Sequence, residues 1–310
     1  MKYSLKHILE YVLVRLAAAL LRRLPYRAAL FLGWCAAGIG FYIVRYRVRE
    51  AQGRIREVFG ARFSKGEIRR IAWISWRNFI FTVVEAIRLP VSSRAWALKA
   101  VKINPLIVRM QEWVRSGRGG IIATAHMGAW ELAALACLVH DIPLFSLAAA
   151  QKNKLVDEFY NRARAGTGFE TVLRSASVLK TILRKIKTGR MLAILSDVRG
   201  KTDALPVKFL GKTANVAEGM GFIAHQADAP VFPVMISRIG WGEHHCRIYE
   251  PIFPDPHAEK RTDALRITQA VFDILTACVR NEPEQWFWFN KRWIFDPLAK
   301  TENKRQSPEA

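Results

Sequence analysis

Hydrophobic residues along this chain follow two rhythms. Five short apolar runs, at residues 120–125, 142–149, 191–196, 231–237 and 246–249, have the length and composition of single strands. Between several of them, at residues 131–139, 154–165, 177–188, 216–226 and 263–280, apolar positions recur at helical intervals, and another such stretch at 67–89 stops before Pro90. Strands that alternate with helices predict a parallel arrangement, because parallel neighbours need crossovers and the crossover helices cover the sheet. The expected fold class is α/β, a mixed, mainly parallel sheet flanked by helices. With no internal repeat and no Gly- or Ser-rich linker, one domain is expected over residues 46–298, followed by a loose polar tail at 299–310.

The N-terminus breaks this alternation. Residues 5–24 are apolar apart from Lys6, His7, Glu10, Arg15, Arg22 and Arg23, and residues 28–44 carry no charge. A bilayer core takes about 20 apolar residues, so the first segment is interrupted and the second is short and contains Gly33, Gly38 and Gly40. No small-residue cleavage site follows, which argues against a signal peptide. Arg45, Arg47, Arg49, Arg54 and Arg56 come next, a cluster suited to anionic headgroups on a cytoplasmic membrane face. Residues 1–45 are therefore expected to form a membrane anchor and interfacial helix. The alternative for residues 28–44 is a buried helix of the domain.

Composition narrows the function classes. In 310 residues, 51% hydrophobic content supports a sizeable core and excludes a disordered chain. Lys and Arg total 48 against 26 Asp and Glu, a net +22 that suits nucleic acid, anionic lipid or acidic proteins as partners. No nucleic-acid-binding motif is present. Cys35, Cys137, Cys246 and Cys278 form no closely spaced pair, the usage of reduced thiols.

Candidate chemistry concentrates at the end of the first strand-like run. His126 and Glu131 are separated by Met-Gly-Ala-Trp, an interval repeated by His245 and Glu250. In a strand an offset of five sends two side chains to opposite faces, which excludes the second copy as a dyad. Across a strand, a Gly-bearing turn and a helix start, the first copy lets Glu131 approach the ring of His126, orient it as a base and leave helix N-terminal amides for an oxyanion. A buried histidine satisfied by a helix-start Glu is the plain structural alternative. Other motifs fail: Gly211-Lys212-Thr213 has Pro206 where a phosphate loop needs glycine, and no apolar strand leads into Gly219 and Gly221. Serine-hydrolase and zinc-protease signatures are also absent, so no metal site is expected. Asp197 and Arg199 close the run 191–196 and so share a sheet edge with His126, where α/β sheets place their sites. Arg174 lies in a polar basic segment at the same edge. Trp286 and Trp288 lie close to Lys291 and Arg292, a grouping that suits a membrane interface or core packing beneath an anionic site.

Four blocks in order, SGRGGIIATAHMGAWE at 116–131, FLGKTAN at 209–215, APVFPV at 229–234 and PEQWFW at 283–288, resemble the late acyltransferases of lipid A biosynthesis. That family lies within the glycerolipid acyltransferase superfamily, whose signature is a histidine followed after four residues by Asp or Glu. The resemblance extends over nearly the whole chain. It implies a bacterial inner-membrane enzyme with its catalytic domain facing the cytoplasm. Such an enzyme moves a fatty acyl chain from acyl carrier protein to a hydroxyl of an anionic glycolipid, needs no cofactor and forms no covalent intermediate. His126 matches the family's base and Glu131 its acidic partner, while Arg174 and Asp197 fall where it has further polar site residues. The family's anchor precedes Leu24-Pro25, which favours residues 5–24. Ala129 stands where Asn is frequent and Asn290 where His is frequent, departures that touch acceptor choice. Another lipid acceptor, such as a lysophospholipid or a mannosylated or ornithine lipid, with acyl-CoA as donor is the neighbouring expectation. A non-catalytic basic protein binding membrane or nucleic acid is the distant one.

Overall fold

A computed structural model describes residues 3–148, 152–173, 178–200 and 204–297. Nine strands are described: β1 (Val101–Ile103), β2 (Gly120–Thr124), β3 (Leu144–Ala148), β4 (Glu170–Leu173), β5 (Met191–Leu195), β6 (Ala204–Phe209), β7 (Lys212–Ala217), β8 (Val231–Gly240) and β9 (Glu243–Ile248). The helices are α1 (Leu5–Arg23), α2 (Tyr26–Gly38), α3 (Val48–Phe59), α4 (Lys65–Arg88), α5 (Arg94–Ala100), α6 (Ile107–Arg115), α7 (Trp130–Val139), α8 (Lys154–Ala165), α9 (Val178–Lys187), α10 (Gly219–Ala227) and α11 (Lys260–Asn281). Seven strands form one sheet in the order β1-β9-β8-β2-β5-β3-β4, parallel at every pairing except β8 with β9. The fold is the mixed, mainly parallel α/β sheet read from the alternation of patterns.

Alternate residues of β2 serve opposite layers, as the two-residue strand period requires. Ile122 packs with α6 and α7 through Met110, Leu132 and Ala136. Ile121 and Ala123 pack with α9, α10 and α11 through Ile182, Met220, Ile267 and Val271. A third cluster, holding Ala125, Met127, Val207, Phe209, Trp286 and Trp288, closes the carboxyl edge of the sheet.

Two features depart from expectation. The β6–β7 hairpin turns on Leu210 and Gly211, both at positive φ, the conformation of a two-residue hairpin turn. Its β7 does lead into α10, so a strand precedes Gly219 after all, although it lies outside the main sheet. Gly221 serves packing, since a Cβ there would sit 2.4 Å from the carbonyl oxygen of Ala264. The expected tail at 299–310 lies outside the described residues.

The N-terminal helices dock on α4. Ala29 and Leu30 of α2 pack on Phe81 and Val84, and a Cβ at Gly33 would meet Val84 at 3.0 Å. The Tyr26 hydroxyl donates to Glu85 at 2.5 Å, and Glu85 holds both terminal nitrogens of Arg238 at 2.8 and 2.6 Å in a fully buried pair. The outer faces stay apolar: Leu5, Leu9, Leu13 and Leu16 of α1 and Phe31, Trp34 and Ile43 beyond it are exposed. Among the described residues, the segment long and apolar enough to cross a bilayer, by length and composition, is Tyr26–Ile43 rather than residues 5–24. Arg54 leaves the proposed headgroup cluster. Its guanidinium is buried on the carbonyls of Trp288 and Asn290 at 2.8 and 2.7 Å, stacked over Trp293.

Candidate active site

Parallel strands β2 and β5 pair through Thr124 with Leu195. Two residues further along each strand stand His126 and Asp197, level with one another at the carboxyl edge. Asp197 Oδ1 is 2.8 Å from His126 Nδ1, and its Oδ2 accepts the His126 backbone N–H at 3.0 Å and the Trp286 indole N–H at 2.9 Å. An ionised carboxylate only accepts hydrogen bonds, so Nδ1 carries the proton and Nε2 presents its lone pair. The expected geometry is therefore corrected: the ring is oriented by Asp197 rather than Glu131. Glu131 gives both carboxylate oxygens to Arg164 of α8.

Burial disfavours the imidazolium, but the charge and hydrogen bond of Asp197, with a lesser contribution from the charge of Glu131, hold the His126 pKa above its ordinary value. Burial also opposes ionisation of Asp197. His126, through its charge and hydrogen bond, and then the Trp286 and His126 N–H donors outweigh it and hold that carboxyl below the usual range. The two shifts describe one mutually stabilised pair.

The turn carrying His126 is clamped from outside. Gly128 sits at φ +55°, and a Cβ there would lie 2.1 Å from the Ile236 carbonyl oxygen, so only glycine fits. Its N–H donates to the Gln285 carbonyl at 2.8 Å, and its own carbonyl accepts from Thr82 at 3.0 Å. Phe287 N–H donates to the His126 carbonyl at 2.9 Å, and Ser75 Oγ holds the Trp286 carbonyl at 2.6 Å. Trp286 and Trp288 are consequently core residues, 3% and 0% exposed, and not the interfacial pair their proximity to cations suggested. Lys291 and Arg292 are exposed.

Of the remaining expected site residues, Arg199 pairs with Asp296 at 3.7 Å. Arg174 lies outside the described residues. Asn290 caps a local turn, its Oδ1 accepting from Arg292 N–H at 3.1 Å. Ala129, fully buried, occupies the N-cap of α7 without a side-chain bond. In the repeat copy His245 is an exposed residue of β9, and Glu250, beyond the end of that strand, pairs with Arg109. The contacts of Trp286 and Arg164 are not among the expected ones; the polar stripe along α8 hints at the second.

Next to the residues that flank the dyad lies a cavity of about 360 Å³ lined mainly by aliphatic side chains, including Ile122, Ala133, Leu144, Ile194, Met220 and Val234. The ladder between β3 and β5 ends at Ser146 and Ala193 although both strands continue, and Leu147, Ile194 and Leu195 line the space where they part. Thr124, Ser196, Val198 and Trp130 bring its wall to the dyad, Trp130 meeting the His126 ring edge-on at 5.3 Å.

Fold and site together define an α/β protein with a histidine–aspartate pair at the strand ends and an apolar chamber lined by its neighbours. Residues 2–294 match the bacterial lipid A biosynthesis acyltransferase family, and the chain belongs to that family. It is 23% identical over 187 residues to the phosphatidylinositol mannoside acyltransferase of Mycolicibacterium smegmatis, covering 58% of this chain and 59% of that protein. To the phosphatidylinositol mannoside acyltransferase of Mycobacterium tuberculosis it is 19% identical over 218 residues, covering 68% and 66%. The chain thus spans less than two thirds of the length of either relative. Among solved structures, the 1-acyl-sn-glycerophosphate acyltransferase of Thermotoga maritima superposes with a TM-score of 0.39 at 16% identity, covering 84% of this chain and 99% of the other.

Proposed function

We propose that this protein is a membrane-bound O-acyltransferase that moves a fatty acyl chain from a thioester donor to a hydroxyl of a lipid acceptor. The observation that carries this reading is the Asp197-oriented ring of His126, in contact with Trp130, which lines an apolar cavity together with Thr124, Ser196 and Val198. Nε2 of His126 takes the proton of the acceptor hydroxyl as its oxygen attacks the thioester carbonyl. The Trp130 and Glu131 amides at the start of α7 meet the developing oxyanion, the next two being taken by the Ala129 carbonyl. The tetrahedral adduct then collapses, expelling the thiolate, which takes up a proton. The ester bond forms as the thioester bond breaks, with no enzyme-bound acyl group. The acyl chain occupies the aliphatic cavity. Acyl carrier protein is the donor and a lipid A precursor the acceptor in this reading, supported by the family match. The family match and the exposed apolar faces of α1 and α2 support a site on the cytoplasmic face of the inner membrane.

His126→Ala is expected to abolish acyl transfer while the protein still folds and binds membranes. Turnover retained in that variant overturns the assignment. A second reading, in which the acceptor is a mannosylated lipid, is favoured by the phosphatidylinositol mannoside acyltransferases among its relatives. Lipid mass spectrometry of a deletion strain separates the two acceptors.

A further inference from the structure

Strand β8 outreaches its neighbour β2. The two run parallel and pair through Ala123 and Pro233, so Ile236 stands level with His126, three residues beyond each, and Gly128 abuts the Ile236 carbonyl. The strand then continues four residues to Gly240, roughly 13 Å at the usual strand rise, before Trp241 and Gly242 turn it back into β9. A hairpin tip therefore stands beyond the dyad on the same carboxyl edge of the sheet. Alternation sends Arg238 inward to Glu85 and Ile239 outward. Ile239 is 56% exposed and Trp241 40%.

Single exposed apolar residues are ordinary; the position of these two gives them meaning. Gly242 lies against Tyr26, where a Cβ would meet the ring at 2.3 Å. Trp241 meets Phe81 edge-on at 5.4 Å, the same side chain on which Ala29 and Leu30 of α2 pack. Tyr26 opens the apolar segment Tyr26–Ile43 and meets Trp96 edge-on at 4.9 Å. Tyr26, Trp96 and Trp241 thus gather at one end of that segment, with Arg23 and Arg27 exposed beside it. Aromatic rings and cations at the end of an apolar segment are the composition of a membrane–water interface. Glu243, the acid of the turn, has its carboxylate beside Gly240.

We infer that the β8–β9 tip is a second membrane contact, with Ile239 and Trp241 entering the headgroup region beside the start of α2. The inference rests on the membrane-bound reading above. The occupant is lipid rather than a second copy of the chain, because cations flank the tip and a protein of net +22 attracts anionic headgroups while repelling its own copy. One apolar segment leaves the domain free to rock about it, and a second seat removes that freedom. The carboxyl edge then faces the bilayer, with the dyad set back by the length of the tip, roughly 13 Å.

Cosedimentation of the full chain with phosphatidylcholine vesicles, with and without phosphatidylglycerol, tests this. Ile239→Ser is expected to weaken binding to both about fivefold and Trp241→Ser about tenfold, from the apolar area each buries. Lipids brominated near the headgroup end of their acyl chains should quench tryptophan emission more in wild type than in Trp241→Phe. Ile239→Ser, at an exposed position, carries the test if Trp241→Ser fails to fold. Unchanged partitioning of Ile239→Ser overturns the proposal, and so does equal quenching of wild type and Trp241→Phe. A dimer that Ile239→Ser dissociates, read by light scattering, also overturns it by giving the tip to a second copy. If wild type itself fails to partition, the membrane-bound reading falls as well; if binding responds only to changes at Leu9, Leu13 and Leu16, that reading stands and the tip alone is excluded.

Discussion

Replacing Asp197 with Asn removes one charge and, by geometry, reverses a tautomer. Oδ2 accepts two N–H groups, from His126 and Trp286, while Oδ1 faces only Nδ1. The introduced amide must keep its oxygen toward the two donors and turn its NH2 toward the ring. Nδ1 then has to accept, the proton moves to Nε2, and the nitrogen facing the substrate can no longer take a proton. A reversed tautomer in other histidine–aspartate catalysts lowers kcat by about four orders of magnitude, roughly 5 kcal/mol of barrier. The fold should lose far less, about 2 kcal/mol for one charge-assisted hydrogen bond. In the wild type the working base is neutral His126, so the rate should rise with pH through a pKa held above the ordinary value of about 6.5; in Asp197→Asn that limb should disappear with the activity. Single-turnover acyl transfer across pH, beside a denaturant melt, measures both effects. Activity within tenfold of wild type in a folded Asp197→Asn protein refutes the assignment of the ring's partner.

Gly128→Ala should cost about 2–4 kcal/mol, because a left-handed backbone and a 2.1 Å approach to a carbonyl must both be relieved; a urea midpoint within error of wild type contradicts this. Glu85→Gln should cost about 3–5 kcal/mol by leaving Arg238 charged and buried without its partner. In the wild type, Arg238 and His244 outweigh burial and hold Glu85 down at about 2, so its contribution is present above the ordinary carboxylate pKa and lost as pH falls toward 2. His244, lowered by burial, takes up a proton on unfolding, so stability also declines as pH falls below its ordinary pKa of about 6.5. Equilibrium unfolding from pH 7 to pH 3 should therefore show a steeper loss in wild type than in Glu85→Gln. Changing Leu9, Leu13 and Leu16 together to Ser removes an exposed apolar stripe of α1. At about 1 kcal/mol each for half-exposed leucines, binding to anionic liposomes should weaken by about two decades, read by cosedimentation; unchanged partitioning excludes that face from the membrane.

The main sheet was legible because its central strands are continuous apolar runs and its crossover helices carry clean periodicity, as α8 shows by matching the expected residues 154–165. β1 and β4 were not, being edge strands of three and four residues with too few positions to display a pattern. The β6–β7 hairpin escaped because its turn residues are Leu210 and Gly211, and because Pro206 and Lys208 dilute the strand signal. At the site, His126 and Asp197 could be found as residues that terminate apolar strands. The inward turn of Trp286 could not, since its fate depends on a bridge to Met127 across 159 positions of chain.

The same register explains why the local interval misleads. In a parallel pair the strands lie about 4.8 Å apart, so groups equally far past paired residues at the same edge are neighbours whatever their separation in sequence. Thr124 pairs with Leu195, and each strand then runs two residues on to its functional side chain. The Ser196 N–H continues the ladder to the Thr124 carbonyl at 2.7 Å, holding the two ends level. Glu131, in contrast, enters a helix after a turn pinned by Gln285 and Thr82, and the start of α7 sends its side chain to Arg164 on the chamber wall. Two carboxylates therefore stand on different sides of one imidazole's neighbourhood, one fixed by sheet register and one by a helix start. Exchanging their roles would require the strands to slip or the helix to rewind. Asp197→Asn should therefore lower kcat and abolish its pH limb, while Glu131→Gln, whose carboxylate is held by Arg164, should keep that limb, and identical kinetic signatures for the two variants would mean that both carboxylates serve the ring.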